Sequence, residues 1–336
     1  MDVYHHIKSN KQGSVASYIP ELAHMPPNLF GISVCSVHGE CFGIGDVNQF
    51  FSLQSCCKPL NYCLARRLCA EDQIDVHDYV GYEPSGQTYN SFVLNTNGLP
   101  HNPMINAGAI MVNSLIKPNE DVAQRFRTIQ EFYQMLCNEN VGFDNAVFQS
   151  EKNNCDRNMS LSYYMRENGA FRGRPTHDDI KTTLELYFQC CSMTINTKMG
   201  AKIASCLANR GTNPVTKNKE IEPQIVKDCL ALMFSCGMYD YSGQFAFEIG
   251  LPAKSGVSGG MLLVIPNICG ICIFSPLLDE SGNSVKSIEF CKEFTKRTLG
   301  MFHIFNTDRT YDIDVRPHKK SVPKSHRGVV LPTLNT

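Results

Sequence analysis

A serine and a lysine stand three residues apart at residues 55–58, where the chain reads Ser-Cys-Cys-Lys. In a helix this spacing places both side chains on one face, so the lysine amine can take the hydroxyl proton and activate the serine as a nucleophile. The same spacing recurs at residues 114–117 and 321–324, so a single match predicts little. Only Ser55 stands where a loop enters an apolar helix after an apolar hairpin, and free backbone N–H groups there could support an oxyanion.

A second element, Lys254-Ser255-Gly256, begins a predicted strand and matches the K-[ST]-G pattern that accompanies S-x-x-K in serine acyl-transfer enzymes. Gly256 allows close backbone approach, and the N–H of Val257 can point at a developing oxyanion. We expect burial and the charge of Lys254 to lower the pKa of Lys58. The alternative is a solvated lysine before an edge strand. Both elements together, with a helical insertion between them, predict a serine acyl-enzyme mechanism.

A third group should carry a proton to the leaving group. Tyr239, in a turn-rich segment shortly before the K-S-G strand, is the candidate, although tyrosines more often serve as packing residues. His101 is an alternative base for Ser55. Because no carboxylate is obviously placed to orient its ring, we rank Lys58 above it.

Two hairpins and a series of helices must position these residues. Residues 30–45 predict a hairpin that turns at His38-Gly39, and residues 253–275 predict a second one. Residues 81–106 read as a long ordered loop, and residues 13–25 carry an interrupted helical pattern with Pro20 in a first turn. Helical patterns start at Ser55 and also cover residues 107–116, 122–138, 159–167, 178–192, 197–209, 223–236 and 284–302.

These elements predict an α+β fold, in which an antiparallel sheet is flanked by helices and carries an inserted all-helical lobe. The sheet lobe would comprise about residues 13–54 and 250–305, and the helical lobe about residues 55–249. A cleft between the lobes would hold the site. We expect residues 1–12 to be flexible and residues 306–336 to form a basic, disordered tail.

Composition narrows the class of protein. With 31 Lys+Arg against 32 Asp+Glu, the formal net charge is −1, which favours neither a nucleic acid nor a membrane as partner. The N-terminus has no apolar export segment and no Arg-rich transit composition, so we expect a reducing, cytoplasmic location. Most of the 16 cysteines therefore read as small core residues. Cys269-Gly-Ile-Cys272 has redox or zinc-ligand spacing, but it lacks a second ligand pair and reads as buried strand.

Nine short motifs follow one another in order along the chain. They are Tyr18-Ile-Pro, Leu53-Gln-Ser-Cys-Cys-Lys58-Pro-Leu, Glu83-Pro-Ser-Gly, His101-Asn-Pro-Met-Ile-Asn106-Ala-Gly-Ala-Ile, Phe148-Gln-Ser-Glu151, Asp156-Arg-Asn158, Tyr187-Phe-Gln-Cys-Cys-Ser, Ser235-Cys-Gly-Met-Tyr239-Asp and Leu251-Pro-Ala-Lys-Ser-Gly-Val257. With these motifs the chain resembles the serine-dependent glutaminases, closest to the animal kidney and liver type. The resemblance spans about residues 13–305.

The resemblance implies a β-lactamase-like fold and hydrolysis of L-glutamine to L-glutamate and ammonia, with no metal or organic cofactor. Ser55 resembles the nucleophile, Lys58 its base and Tyr239 the proton shuttle, while the N–H groups of Ser55 and Val257 would form the oxyanion hole. The matching residues for the amino-acid end of the substrate are Tyr18, Asn106, Glu151, Asn158 and Tyr187. A carboxylate can pair with an α-ammonium, and amides and phenols can donate to an α-carboxylate.

The resemblance also implies a homodimer or homotetramer and an activation loop at residues 81–103 that couples activity to phosphate. Residues 87–91 lie in the variable part of that loop and do not decide phosphate activation. The longer animal enzymes add ankyrin repeats and a mitochondrial presequence, so a mitochondrial location is the alternative to the cytoplasm. Two other functions stay open: a β-lactamase-like hydrolase, and a catalytically silent amino-acid-binding subunit.

Overall fold

The computed structural model describes residues 2–306. The helices are α1 Asp2–Lys8, α2 Pro20–Ala23, α3 Lys58–Glu71, α4 Asn106–Leu115, α5 Val122–Cys137, α6 Asn145–Asn153, α7 Asp156–Glu167, α8 His177–Ser192, α9 Thr197–Ala208, α10 Pro223–Cys236, α11 Ser242–Glu248 and α12 Val285–Arg297. The strands are β1 Ser14–Val15, β2 Gly31–Ser36, β3 Cys41–Gly45, β4 Phe51–Ser52, β5 Gly142–Phe143, β6 Met193–Ile195, β7 Ala253–Ser255, β8 Gly260–Ile265, β9 Cys269–Phe274 and β10 Leu277–Leu278. The predicted basic tail lies outside the described residues, apart from Asn306.

A five-stranded antiparallel sheet in the order β3-β2-β9-β8-β7 forms the centre of the molecule. Both predicted hairpins are confirmed, and they pair through β2 and β9. Alternate residues of β9 enter different cores: Ile271 and Ile273 pack on one face of the sheet, Cys272 and Phe274 on the other. Apolar residues therefore cover both faces of the sheet, as is needed for helices to pack on each face.

Helices cover both faces of the sheet. Residues of α1 and α12 pack with one face, and α9 packs on the opposite face. A Cβ at Gly270 of β9 would meet the Ser205 nitrogen of α9 at 2.0 Å, so glycine is what lets this helix approach the sheet. The sequence places α9 in the helical lobe, but the structure places it against the sheet.

The N-terminal segment and residues 13–25 differ from the sequence predictions. Flexibility over residues 1–12 is wrong for α1, because Tyr4 and Ile7 are buried in the core beneath it. Tertiary packing of this kind stabilises a helix too short to be stable alone. Residues 13–25 form β1, which pairs with β10, and the four-residue helix α2, with Pro20 in its first turn as predicted.

Most of the remaining helices form the second lobe. α3, α4, α5 and α8 pack around one large apolar core. A small three-stranded sheet in the order β4-β6-β5 links the segment before α3 to the residues that follow α5 and α8. The sequence analysis does not predict α6 or α11, which are short. Among residues 2–306, no helix combines the length and apolar character needed to cross a membrane.

Candidate active site

Ser55 lies in a single 3-10 turn, Gln54–Cys57, that leads directly into α3. The turn is tied to the rest of the lobe because the Leu53 N–H donates to the Met193 carbonyl at 2.8 Å. Gln54 has a φ of 48°, a left-handed conformation that is uncommon for a residue with a side chain and is concentrated at functional sites. The predicted position of Ser55 at the helix entrance is confirmed, and its side chain is buried.

Lys58 is 1% exposed, although it carries an ionisable amine. Its Nζ donates to Asn106 Oδ1 at 2.8 Å. Burial lowers the pKa of Lys58 from 10.5 to about 8, against the opposing influence of nearby cysteines and Glu151. At neutral pH a minority of this amine is therefore unprotonated, far more than in a lysine with an ordinary pKa, and this form can act as a base.

Lys254 approaches the same centre from β7 and is fully buried, which rules out a solvated side chain. Its Nζ donates to the Gly237 carbonyl at 3.0 Å and the Ser255 carbonyl at 2.6 Å, and it lies 4.5 Å from the ring centroid of Tyr239. Burial, and then the charge of Lys58, lowers the pKa of Lys254 to about 7. The charge of Lys58 thus lowers the pKa of Lys254. The lowered pKa of Lys58 itself comes from burial, and the contribution from Lys254 that the sequence analysis expects stays a prediction.

Gly256 brings the end of β7 against the serine turn. A Cβ at this position would meet the Leu53 carbonyl oxygen at 2.9 Å and the Cys56 Sγ at 3.2 Å. Only glycine allows such an approach without moving the backbone. The N–H of the next residue, Val257, has no backbone acceptor within residues 2–306.

Tyr239 follows α10 in a turn and has a φ of 54°, the second strained backbone at this site. Burial raises its pKa well above the usual value, and the neighbouring Ser55 side chain acts in the opposite direction. Although Ser55 lies beside it, the buried hydroxyl of Tyr239 makes no hydrogen bond of ordinary geometry to any described residue. A buried, unpartnered phenol is available to a bound molecule.

Asn106 is the junction between the serine turn and the helices behind it. Its Oδ1 accepts from Lys58 and, at 3.2 Å, from the Tyr187 hydroxyl. Its Nδ2 donates to Asn158 Oδ1 at 3.0 Å. The structure therefore brings together these predicted residues from α3, α4, α7 and α8.

Glu151 supplies a buried carboxylate on α6, facing the serine turn. Its Oε1 accepts from the Tyr18 hydroxyl at 2.5 Å and from Gln54 Nε2 at 3.0 Å. Burial raises the pKa of Glu151, while these two donors and the charge of Lys58 act in the opposite direction. Tyr18 is 47% exposed, but its hydroxyl is enclosed at this contact, where burial and Glu151 raise its pKa well above the usual value.

Two residues of the site have no predicted role. Gln54 donates a hydrogen bond to Glu151. In the sequence, only the position of Gln54 next to Ser55 could have indicated a role for it. Tyr89, from the 81–106 segment, lies across the centre: its ring centroid is 5.1 Å from that of Tyr239 and 5.9 Å from the Lys58 Nζ. A pocket of about 280 Å³ opens beyond these tyrosines, lined by the same segment and the turn after α10.

His101, the alternative base for Ser55, has a buried Nδ1 that makes no hydrogen bond among the described residues.

The chain is similar to known proteins over most of its length. The family model described as "Glutaminase" matches residues 13–305, which is most of the chain. The chain belongs to the glutaminase family. The mouse "Glutaminase liver isoform, mitochondrial" is 45% identical over 329 residues, covering 98% of this chain and 54% of that protein. The Nostoc "Glutaminase" is 39% identical, covering 90% of this chain and 88% of that protein. The chain thus spans about half the length of the animal relatives it matches.

Solved structures extend the comparison to the fold. A probable glutaminase has a TM-score of 0.82 at 33% identity, covering 88% of this chain and 94% of that one. The native form of a protein named Mglu has a TM-score of 0.83 at 30% identity, covering 91% of this chain and 72% of that one. This glutaminase-family chain therefore has the β-lactamase-like fold that the sequence predicts.

Proposed function

We propose that this chain hydrolyses L-glutamine to L-glutamate and ammonia. The observation that carries the proposal is a single buried cluster that joins Ser55 and a deprotonatable Lys58 to a carboxylate, Glu151, of opposite charge to an α-ammonium. The family's liver-isoform and bacterial members carry the name glutaminase. A β-lactamase-like hydrolase would use the serine and lysines but would leave the Glu151 cluster without a purpose.

In the proposed mechanism, neutral Lys58 removes the proton from Ser55 as the serine oxygen attacks the γ-carboxamide carbon. The N–H groups of Ser55 and Val257 donate to the oxyanion that forms. Tyr239 delivers a proton to the departing ammonia, and the Lys58 ammonium then returns the serine proton to the Tyr239 phenolate. Neutral Lys58 can therefore act again as base when water hydrolyses the γ-glutamyl ester, and its proton goes to the departing Ser55 oxygen. Lys254 holds the turn below Tyr239 through its hydrogen bond to the Gly237 carbonyl.

The other end of the substrate would be held by groups of matching charge. We propose that Glu151 pairs with the α-ammonium, because a buried carboxylate with a raised pKa gains most from a cation. Tyr18, Asn106, Asn158 and Tyr187 would surround the α-carboxylate as neutral donors. A silent binding subunit would need the same contacts but would have no use for a buried lysine beside a serine.

The organisation of the protein belongs to the same proposal. We propose that residues 13–305 act as one catalytic domain, that two or four copies assemble, and that phosphate acts through the loop at residues 81–103, which contains Tyr89. Light scattering with and without phosphate would give the oligomeric state. We propose a cytoplasmic location. The alternative, by analogy with the liver isoform, is a mitochondrial location, and imaging of the tagged full-length protein would distinguish the two.

The decisive experiment measures ammonia and glutamate released from L-glutamine by the wild type and Ser55→Ala, each with and without phosphate. We expect stoichiometric release by the wild type and none above background by the variant. Silence of the wild type under all conditions would overturn the proposal. Labelling of Ser55 by a β-lactam without glutamine turnover would favour the β-lactamase-like alternative, whereas thermal stabilisation by glutamine without ammonia release would favour the binding subunit.

A further inference from the structure

Two cysteines face one another across the hairpin formed by β2 and β3. Cys35 and Cys41 are direct partners in the register, and their sulfur atoms are 3.0 Å apart. The neighbouring pair is hydrogen-bonded, because the Ser36 N–H donates to the Glu40 carbonyl at 2.8 Å. Cys35 and Cys41 therefore occupy a non-hydrogen-bonded position, where opposite side chains approach most closely.

The two thiols differ in their access to solvent. Cys41 is exposed on the edge strand, whereas Cys35 is fully buried beneath it. Burial, and then the Cys41 thiol, raises the pKa of Cys35 to about 12, against the opposing influence of Ser205 and the positive charge of Lys202. A dissolved oxidant therefore meets Cys41 first, and Cys35 is in place to react with the product.

The other cysteine pairs lack this combination. Cys269 and Cys272 have the spacing of a redox motif, but they enter different cores on the two faces of the sheet. Cys63 and Cys229 interact with one another, yet both are buried. Among the described residues, Cys41 is the exposed thiol, and it has a second thiol beside it.

We propose that Cys35 and Cys41 are an oxidation site at which peroxide forms an intrachain disulfide. The Cys41 thiolate attacks hydrogen peroxide, which breaks the O–O bond, releases hydroxide and leaves a sulfenic acid on Cys41. The Cys35 sulfur then attacks the Cys41 sulfur and displaces water. Two thiols are oxidised, one peroxide is reduced to two waters, and a thiol reductant reverses the change.

The test uses the full chain, fully reduced, freed of reductant and treated with increasing hydrogen peroxide before alkylation and mass spectrometry. Cleavage after Glu40 separates the two cysteines, so a disulfide joins two peptides that otherwise run apart. We expect this joined pair at the lowest peroxide dose that modifies the protein, together with a mass lower by about 2 Da and two fewer free thiols.

Two variants sharpen the test. Cys41→Ser should abolish the joined peptides. Because Cys41 is exposed, the substitution should leave the fold intact. Cys155→Ser, which removes a partly exposed thiol elsewhere, should leave the joined peptides unchanged. Conversion of Cys41 to sulfinic acid without a link to Cys35, or oxidation of Cys155 at a lower dose, would overturn the proposal. Neither readout involves glutamine turnover.

Discussion

Two of the three segments with the Ser-x-x-Lys spacing lie within residues 2–306, and the structure gives these two opposite surroundings. Ser55 and Lys58 lie in a buried turn at the start of α3. Ser114 and Lys117 lie at and beyond the end of α4, where Ser114 donates to the Met111 carbonyl at 2.6 Å. Lys117 pairs with Glu120 at 2.9 Å on the partly exposed surface.

The comparison shows that the spacing alone does not make a base. Burial lowers the pKa of Lys58 to about 8, and β7 supplies a second lysine and a glycine that fits against the serine turn. Lys117 instead lies on the partly exposed surface beside Glu120. Catalytic potential thus depends on the serine turn and β7, which meet only in the folded chain.

The largest expected effect comes from removing each serine in turn. Ser55→Ala should lower kcat by at least about 10⁴-fold, because the nucleophile is lost. Ser114→Ala should leave kcat within about twofold, since it removes a local hydrogen bond far from the chemistry. Ammonia release under saturating glutamine measures both. Equal losses in the two variants would erase the distinction between the segments.

The lysines should differ almost as much. Lys58→Met should lower kcat by about 10³-fold, the range of a lost general base, whereas Lys117→Met should not change it. The pKa of Lys58 is lowered in the folded protein, so its neutral form predominates above about pH 8. The wild-type rate should therefore rise from pH 6 to about 8 and then level off. A rate that is flat over this range argues against Lys58 as the base.

A glutamate lies beside each segment, Glu151 next to the serine turn and Glu120 next to Lys117, and these two should separate binding from packing. Glu151→Gln should raise KM for glutamine by about 10²-fold, because a buried carboxylate opposite a cation is neutralised. Glu120→Gln breaks a surface ion pair and should cost at most about 1 kcal/mol of unfolding free energy, with KM unchanged. Initial rates over a range of glutamine concentrations and thermal melts give both values. An unaltered KM in Glu151→Gln would contradict the proposal that this residue binds the substrate.

The smallest expected effect concerns the close approach of β7. Gly256→Ala should lower kcat about 10- to 100-fold, because the added Cβ displaces the backbone beside Ser55. Gly243→Ala, in α11 at the edge of the pocket, adds a Cβ in open space and should stabilise the protein by about 0.4–1 kcal/mol, with a smaller change in kcat than Gly256→Ala. Rates and melting temperatures of the matched pair check this. Full activity in Gly256→Ala would mean that the approach is not required.

Sequence patterns predict the hairpins and most helices because strong periodicity and local caps determine them. They also predict that Ser55 begins a helix, since the apolar stripe starts there. They do not predict α6, a short helix whose start depends on the Asp144 cap and which carries Glu151. Nor do they predict α1, which depends on tertiary burial of Tyr4 and Ile7.

The cysteines show the same limit. The sequence draws attention to Cys269 and Cys272 by their spacing, yet the pleat of β9 sends them to different cores. Cys35 and Cys41 meet because strand register places them opposite one another. Register and close backbone approach are properties of the assembled sheet, and no local pattern reports them.

The central claim is that Ser55, and not the serine of the second segment, carries the acyl group. The most direct test is to mix the enzyme with glutamine, quench with acid within the first turnovers and map any adduct by peptide mass spectrometry. We predict a glutamyl group on Ser55, with Ser114 unmodified and no adduct in Ser55→Ala. Turnover with the glutamyl group on another residue, or with none on Ser55 at any quench time, would contradict the account.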